Sequence, residues 1–344
     1  MLMKHQKSVF IVLCCYMLLN FVIGIRGSAA ADTRVSISNN AGVPEGPPIY
    51  KTIEGAKTYI VQHQNRDGGW PLVPGEDSNV ESTAFAIWAL IEAGWGTGSR
   101  VIRTGVAYLR NTQSEDGSWN DNTAHTIFAL IALAEAQTDP DARFKGLRWL
   151  RKVQNPNGSW GRGERSPSNP LYTAAALAGF NRLGLKFERD FEEGTDDIPW
   201  LSKGTVWLSG YINYDGGWAL QRGMQSDVFL TAWVMQGLEP VFDINPQVAW
   251  LKQLQNTDGG FGRYKNSPSD PEITAIAVMA LAAGNDPFNT RRVAISYLTD
   301  ARQEDGSFVS NTPMELQEPT ANLQSTCFVL ISIHAKTPDE LAIE

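Results

Sequence analysis

The sequence predicts an all-α fold, an α6/α6 toroid in which six helical hairpins form one ring of helices inside another. Three observations lead there. First, Asp/Asn-Gly-Gly/Ser-Trp/Phe occurs six times, as Asp67-Gly68-Gly69-Trp70, Asp116-Gly117-Ser118-Trp119, Asn157-Gly158-Ser159-Trp160, Asp215-Gly216-Gly217-Trp218, Asp258-Gly259-Gly260-Phe261 and Asp305-Gly306-Ser307-Phe308. The intervals are 49, 41, 58, 43 and 47 residues. Self-similarity at such a period marks units that bury their apolar faces only against one another. Second, a threonine followed by a small residue recurs once per unit. Third, no segment of useful length alternates with the period of a strand.

Each turn follows a helical segment that carries an aromatic-aliphatic pair: Tyr59-Ile60, Tyr108-Leu109, Trp149-Leu150, Trp207-Leu208, Trp250-Leu251 and Tyr297-Leu298. Four residues on, glutamine stands in four units, as Gln64, Gln113, Gln154 and Gln255, which puts the amide on the face of the aliphatic side chain. Ile212 replaces it in unit four, and Arg302 in unit six. The Asp/Asn-Gly pair then stops the helix, because glycine enters the left-handed region at little cost.

A second helix follows each turn, marked by Thr83-Ala84, Thr123-Ala124, Thr173-Ala174, Thr231-Ala232, Thr274-Ala275 and Thr326-Cys327. Unit two shortens the link to this threonine and unit six lengthens it. These helices are apolar nearly all round, as in Ile273–Ala283, and are expected inside. The preceding ones carry charge on one side, for example Arg148, Arg151 and Lys152, and are expected outside.

Residues 50–335 therefore read as the toroid, 32–49 as a linker and 336–344 as a tail. Residues 1–31 have the layout of a secretory signal peptide: Lys4 and Lys7, an apolar run from Val9 to Ile25, and small residues up to Ala31. An uncleaved N-terminal anchor competes, and either predicts a folded part outside the cytoplasm, periplasmic or secreted. Setting the segment aside removes Lys4, Lys7 and Arg26 and no acid, leaving 26 basic residues against 37 acidic ones. That balance disfavours nucleic acid and anionic membrane surfaces as partners. Cys327 then remains alone, so no intrachain disulfide is available and the core must hold the fold.

Aromatic-Leu-x3-Gln-x2-Asp-Gly-x-Trp resembles the QW repeat of terpenoid cyclases, above all squalene–hopene cyclase, in a superfamily shared with protein prenyltransferase β subunits. The resemblance covers about residues 50–335. It implies structural roles for Gln64, Trp70, Gln113, Trp119, Gln154, Trp160, Trp218, Gln255, Phe261 and Phe308, tying neighbouring outer helices together.

Three chemistries follow from the resemblance. The zinc site of a prenyltransferase would want a thiolate where Asp270-Pro271-Glu272 places a glutamate, and a histidine where Gln324, Ser325 and Thr326 stand. His63, His125 and His334 have no metal-like spacing, so neither a metal nor another cofactor is expected. Ionisation-type synthases need an acidic cluster for magnesium and diphosphate. The one dense acidic stretch, Glu188 to Asp197, reads as a solvated loop, with calcium binding as the lesser option. Protonation-type cyclases carry Asp-x-Asp-Asp-Thr-Ala at an inner-helix start. Asp227-Val228-Phe229-Leu230-Thr231-Ala232 keeps the first acid but has Phe229 in the donor's place. Asp270-Pro271-Glu272-Ile273-Thr274-Ala275 keeps the first and third acids. The third place also carries Glu81 in unit one and, counting from Thr123, Asp121 in unit two.

Glu272, Asp270 and Asp227 are thus the candidate catalytic residues, with Glu272 as proton donor and Asp270 as helix cap and electrostatic partner. Two such carboxyls are expected to titrate as a pair, one pushed up and the other down. The bland alternative is acids that complement helix N-termini. Trp88, Phe128, Phe229, Trp233 and Phe328 are the candidate aromatics of a cavity that would stabilise a cation; alternatively, they simply fill the centre.

The reading is an exported cyclase-like protein holding an isoprenoid or other apolar lipid, with membrane association possible through that lipid. The competing reading is a non-catalytic binding module, as in cobalamin carriers with the same toroid. A carbohydrate-active enzyme with paired carboxylates is third. A blind apolar cavity with Glu272 at its wall would favour the first, and an open polar bowl ringed by tryptophans the third.

Overall fold

The computed structural model describes residues 48–185, 200–239, 241–286, 288–310, 312 and 318–335. The expected leader, nearly all of the linker, the acidic stretch Glu188–Asp197 and the tail 336–344 lie outside these residues.

Twelve helices are described: α1 (Pro48–Gln62), α2 (Val80–Glu92), α3 (Arg100–Thr112), α4 (Thr123–Glu135), α5 (Pro140–Lys152), α6 (Pro170–Arg182), α7 (Trp200–Ser209), α8 (Val228–Leu238), α9 (Asn245–Leu254), α10 (Pro271–Ala283), α11 (Phe288–Ala301) and α12 (Leu323–His334). The even-numbered helices form the inner ring and touch in cyclic order, α12 closing on α2. The odd-numbered helices pack outside, with α11 and α12 both meeting α1. Units one and six are therefore neighbours. The only described strands are β1 (Phe308–Ser310) and β2 (Thr320–Asn322), an antiparallel pair inside the lengthened link of unit six.

The repeat works as an interlocking hydrogen-bond device. Trp70, Trp119, Trp160 and Trp218 are fully buried, and each indole Nε1–H donates to the carbonyl of the aliphatic residue in its own outer helix: Ile60, Leu109, Leu150 and Leu208, at 2.7–2.9 Å. The glutamines bridge between units. Gln113 Nε2 donates to Gly117 O in its own turn and to Ala142 O of α5, and Gln154 ties Gly158 O to Trp200 O of α7 in the same way. Gln64 and Gln255 repeat this toward α3 and α11. In unit four, which has Ile212, Gln247 of α9 reaches back to Gly216 O instead. The glycine is needed for close approach: at Gly117 (φ 96°), a Cβ would lie 2.5 Å from Lys145 O.

The threonine of each inner helix has a definite task. Its Oγ1 accepts the backbone N–H of the turn aromatic: Thr83 from Trp70, Thr173 from Trp160, Thr231 from Trp218, Thr274 from Phe261 and Thr326 from Phe308. In unit two the partner of Trp119 is Thr126, so the expected Thr123-Ala124 register is three residues off. The geometry shows why. Every inner helix is N-capped by an Asn or Asp four residues before its working threonine: Asn79, Asn122, Asn169, Asp227, Asp270 and Asn322. The shortened link moves the cap to Asn122 and leaves Thr123 at the first helical position. Asp121 therefore does not occupy the third place; Ala124 does.

This register has a direct test. Thr126→Val leaves the Trp119 N–H buried without an acceptor and should cost about 1–3 kcal/mol in denaturant unfolding. Thr123, whose buried Oγ1 has no hydrogen-bond partner, should tolerate valine within about 0.5 kcal/mol. Equal losses in both variants would restore the original register.

Candidate functional site

Because all six inner helices run parallel, their N-termini surround one mouth of the ring and their C-termini the other. At the third place, counting the cap as the first, Glu81, Ala124, Leu171, Phe229 and Gln324 line the first mouth, and Glu272 stands at the same register without reaching it. One turn deeper stand Phe85, Phe128, Ala175, Trp233, Ile276 and Phe328. A cavity of about 150 Å³ opens here, lined among others by Glu81, Ala124, Leu171, Phe229, Arg263 and Gln324 above Phe85, Phe128, Trp233 and Phe328.

The floor is a cluster of rings in mutual contact. Phe85 lies 4.6 Å from both Phe128 and Phe328, Trp233 lies 5.5 Å from Phe128 and 6.1 Å from Phe328, and Phe229 meets Trp233 at 6.5 Å. Of the expected cavity aromatics, Phe128, Phe229, Trp233 and Phe328 come together here. Trp88 does not: it lines the opposite mouth, with the Arg182 guanidinium 4.4 Å from its ring centroid. Phe85 belongs to the floor but carries no mark in the repeat letters; counting one turn on from Glu81 would have found it.

Glu272 is completely buried between α10 and α12. Gln324 Nε2 donates to its Oε1 at 2.8 Å, and Ser325 Oγ pairs with its Oε2 at 2.5 Å. Burial outweighs these two bonds and pushes its pKa up to about 8, with Asp270 and Glu81 adding to the rise. At neutral pH Glu272 is therefore a neutral carboxylic acid. It is absent from the cavity lining; Gln324 stands there. Of the three residues that stand where a metal-binding histidine would be wanted, Gln324 and Ser325 are hydrogen-bond partners of the carboxyl, and Thr326 serves the turn of Phe308.

Asp270 and Asp227 are both helix caps. Asp270 Oδ1 accepts the N–H groups of Glu272 and Ile273, and its carboxylate also accepts from Ser310 Oγ at 2.8 Å and Thr312 Oγ1 at 3.3 Å. Burial still raises its pKa despite these donors. The expected split of the pair is thus replaced by two upward shifts, since both carboxyls are desolvated. Asp227 accepts from Leu230 N and holds Arg263 Nε at 2.8 Å, which fixes the guanidinium at the cavity rim.

Glu81, a quarter exposed, lies 3.6 Å from His125 Nε2. Burial, with Arg162 nearby, lowers the His125 pKa to about 4, so this contact is polar and not an ion pair at neutral pH. No group of three or more His, Cys, Asp or Glu among the described residues is arranged to hold a metal ion. Cys327 is buried, and desolvation pushes its thiol well up.

Residues 41–126 match the squalene–hopene cyclase C-terminal domain, and residues 120–231 and 221–334 match the prenyltransferase α–α toroid domain. A drimenyl diphosphate synthase of Streptantibioticus cattleyicolor is 29% identical over 181 residues, which is 48% of this chain and 33% of that protein. A probable squalene–hopene cyclase of Sinorhizobium fredii is 28% identical over 217 residues, covering 52% and 32%. This chain thus spans about a third of the length of these curated relatives.

Among solved structures, the type II terpene cyclase MstE from Scytonema superposes with a TM-score of 0.64 at 16% identity, covering 83% of this chain and 98% of that one. A variant of that cyclase has been solved with its substrate geranylgeranyl dihydroxybenzoate. A glycosidase aligns with a TM-score of 0.59 at 13% identity, over 86% of this chain and 97% of that one. Likeness at such identities is one of fold alone. The toroid match, by contrast, takes in well over half of the sequence, and the chain belongs to the prenyltransferase α–α toroid domain family.

Proposed function

We propose that this protein holds an isoprenoid or related apolar lipid in the N-terminal mouth and protonates it in the manner of a type II cyclase. The observation that carries the reading is Glu272, a neutral buried carboxyl one side chain behind an aromatic-floored cavity. A prenyl end would rest on Phe85, Phe128, Trp233 and Phe328, with the polar head toward the Arg263 rim. The cavity's 150 Å³ is below the roughly 300–1,000 Å³ of sites for drug-sized ligands, so only the end of the chain seats there.

In the chemical step, the Glu272 proton passes to one alkene carbon, whose neighbour becomes the cationic centre. The carboxylate left behind keeps the Ser325 hydroxyl as its hydrogen-bond donor. The cation faces the rings, whose negative quadrupole favours it. Loss of a proton from an adjacent carbon to a base or water ends the sequence. Transfer requires Gln324 to turn away from the cavity wall.

A non-catalytic carrier is the second reading. It is favoured by the same full burial of Glu272 and by the engagement of Asp227 with Arg263. Lipid extraction of the purified protein, followed by mass spectrometry, identifies what is held. Glu272→Gln should then abolish conversion of that lipid while leaving its uptake intact, whereas Glu81→Gln should stay within a few-fold of normal. Uptake without conversion by the unaltered protein would select the carrier. No bound lipid and no effect of either variant beyond melting temperature would remove the cyclase reading.

Export is proposed on the layout of residues 1–31. N-terminal sequencing of the protein made in its own host should begin at Asp32.

A further inference from the structure

The opposite mouth holds the larger cavity, about 510 Å³, and nothing in the cyclase reading uses it. That volume falls within the range of sites for small organic ligands. Its floor is apolar, built from Trp88, Ile131, Trp233, Met279 and Ile331. The Phe85–Phe128–Trp233–Phe328 ring cluster separates it from the N-terminal mouth, and Trp233 contributes to both.

The charged residues of the rim are taken up by the protein itself. Arg182 lies between Glu92, at 2.7 Å, and Glu135, at 2.9 Å, with its guanidinium over the Trp88 ring. Glu239 is not free either. An ionic head entering here would leave water for an apolar bowl whose charges already have partners, which is costly.

The neutral polar groups are arranged differently. Asn181 and Gln236 line the bowl, and each spends its amide nitrogen on a backbone carbonyl. Asn181 Nδ2 donates to Gln236 O at 2.9 Å, and Gln236 Nε2 donates to Ala232 O at 3.2 Å. Those bonds settle which end of each amide is nitrogen. Both amide oxygens are thereby left without a donor among the described residues. His334 has its Nδ1 2.8 Å from Leu330 O, which takes up that nitrogen's hydrogen and, in the neutral ring, leaves the lone pair on Nε2. Half-buried acceptors thus stand over an apolar floor. An apolar body bearing a hydroxyl meets both demands: the body covers the floor, and the O–H donates without bringing a charge.

We propose that the C-terminal mouth is a second binding site, for an uncharged apolar alcohol, distinct from the isoprenoid site and independent of whether that site is catalytic.

Four probes with one tail test this: 1-octanol, methyl octyl ether, octanoate and octylammonium, titrated calorimetrically into the purified protein at neutral pH. The ether keeps the oxygen and lacks the O–H. Octanol should bind about fivefold more tightly than the ether, since a net hydrogen bond is worth roughly two- to tenfold in affinity. Against either ion the preference should be on the order of tenfold or more. The double variant Asn181→Leu, Gln236→Met keeps the bulk of both side chains and removes both oxygens. It should cut the preference for octanol over the ether to less than about twofold while leaving the ether's affinity unchanged. Ala178→Trp, which fills the bowl from its wall, should abolish binding of octanol and ether alike. Ala283→Trp, at the half-buried rim, serves the same purpose should that variant fail to fold, and Gln236→Met alone replaces the double variant in the same event. No binding of octanol, an ether or an ion bound as tightly as octanol, or binding that survives a folded cavity-filling variant would each overturn the proposal. An undiminished preference for the O–H in the folded amide variant would overturn it as well.

Discussion

Trp119→Ala should lower the stability of the toroid by about 3–5 kcal/mol, the range found when a buried tryptophan is truncated. Three losses combine in that residue. Its ring is fully buried, and the space it leaves is bounded by the next outer helix, where Gly146 already makes room for it: a Cβ there would lie 3.3 Å from the indole. Its Nε1–H no longer reaches Leu109 O. The turn that it anchors also holds Gln113 and hence the link to α5. Trp70→Ala and Trp160→Ala remove the same set of contacts and should behave alike. Tyr214→Ala, on a fully exposed ring, should stay within about 0.5 kcal/mol. Denaturant midpoints measure all four. Unchanged midpoints in the three tryptophan variants would mean that the repeat does not hold the ring together.

Glu272→Gln should make the protein more stable at high pH while leaving it nearly unchanged at low pH. The sign follows from proton linkage. In the unfolded chain Glu272 ionises near its ordinary value of 4.5, whereas in the fold burial keeps the proton on until about pH 8. Between these values the folded state binds more protons than the unfolded one, so stability falls as pH rises. Below about 4.5 both states are protonated and the residue costs nothing through this route. By pH 8 the accumulated loss reaches a few kcal/mol in order of magnitude. Glutamine keeps the shape, can accept from Gln324 and donate to Ser325, and has no proton to lose. Thermal melts of both proteins from pH 4 to pH 9 should therefore diverge steadily above pH 5, with the variant higher. Parallel curves would show that Glu272 is ionised in the fold, and with that the proton source of the proposed chemistry would be gone.

The two results bear on different layers of the molecule. Loss of a repeat tryptophan acts on the outer ring, where each unit grips the next. Loss of Glu272 acts on the seam between two inner helices, where a charge would be expensive and a neutral acid is held by a serine and a glutamine.

Much of this architecture is written in the residues directly. The six glycine turns, the outer glutamines and the sixfold threonine are local signals, because each reports a cap, a turn or an i, i+4 face that few neighbouring residues define. The signal failed where the link shortened. Counting from Trp119 offers Thr123 and Thr126 equally, and only the cap at Asn122 and the bond from Trp119 N select the second. The Asn/Asp-x3-Thr spacing, present in all six units, would have resolved it from the sequence.

The site was legible as composition but not as arrangement. Glu272, Asp270 and the inner aromatics could be named from their places in the repeat. Which rings meet, which mouth Trp88 lines and whether Glu272 reaches the cavity depend on residues some fifty positions apart, such as Gln324 and Ser325. Protonation is decided at the same level. A carboxyl in the first turn of a helix reads as an ordinary ionised acid. Only the closing of α12 over α10 removes its water, and desolvation turns it into a neutral one.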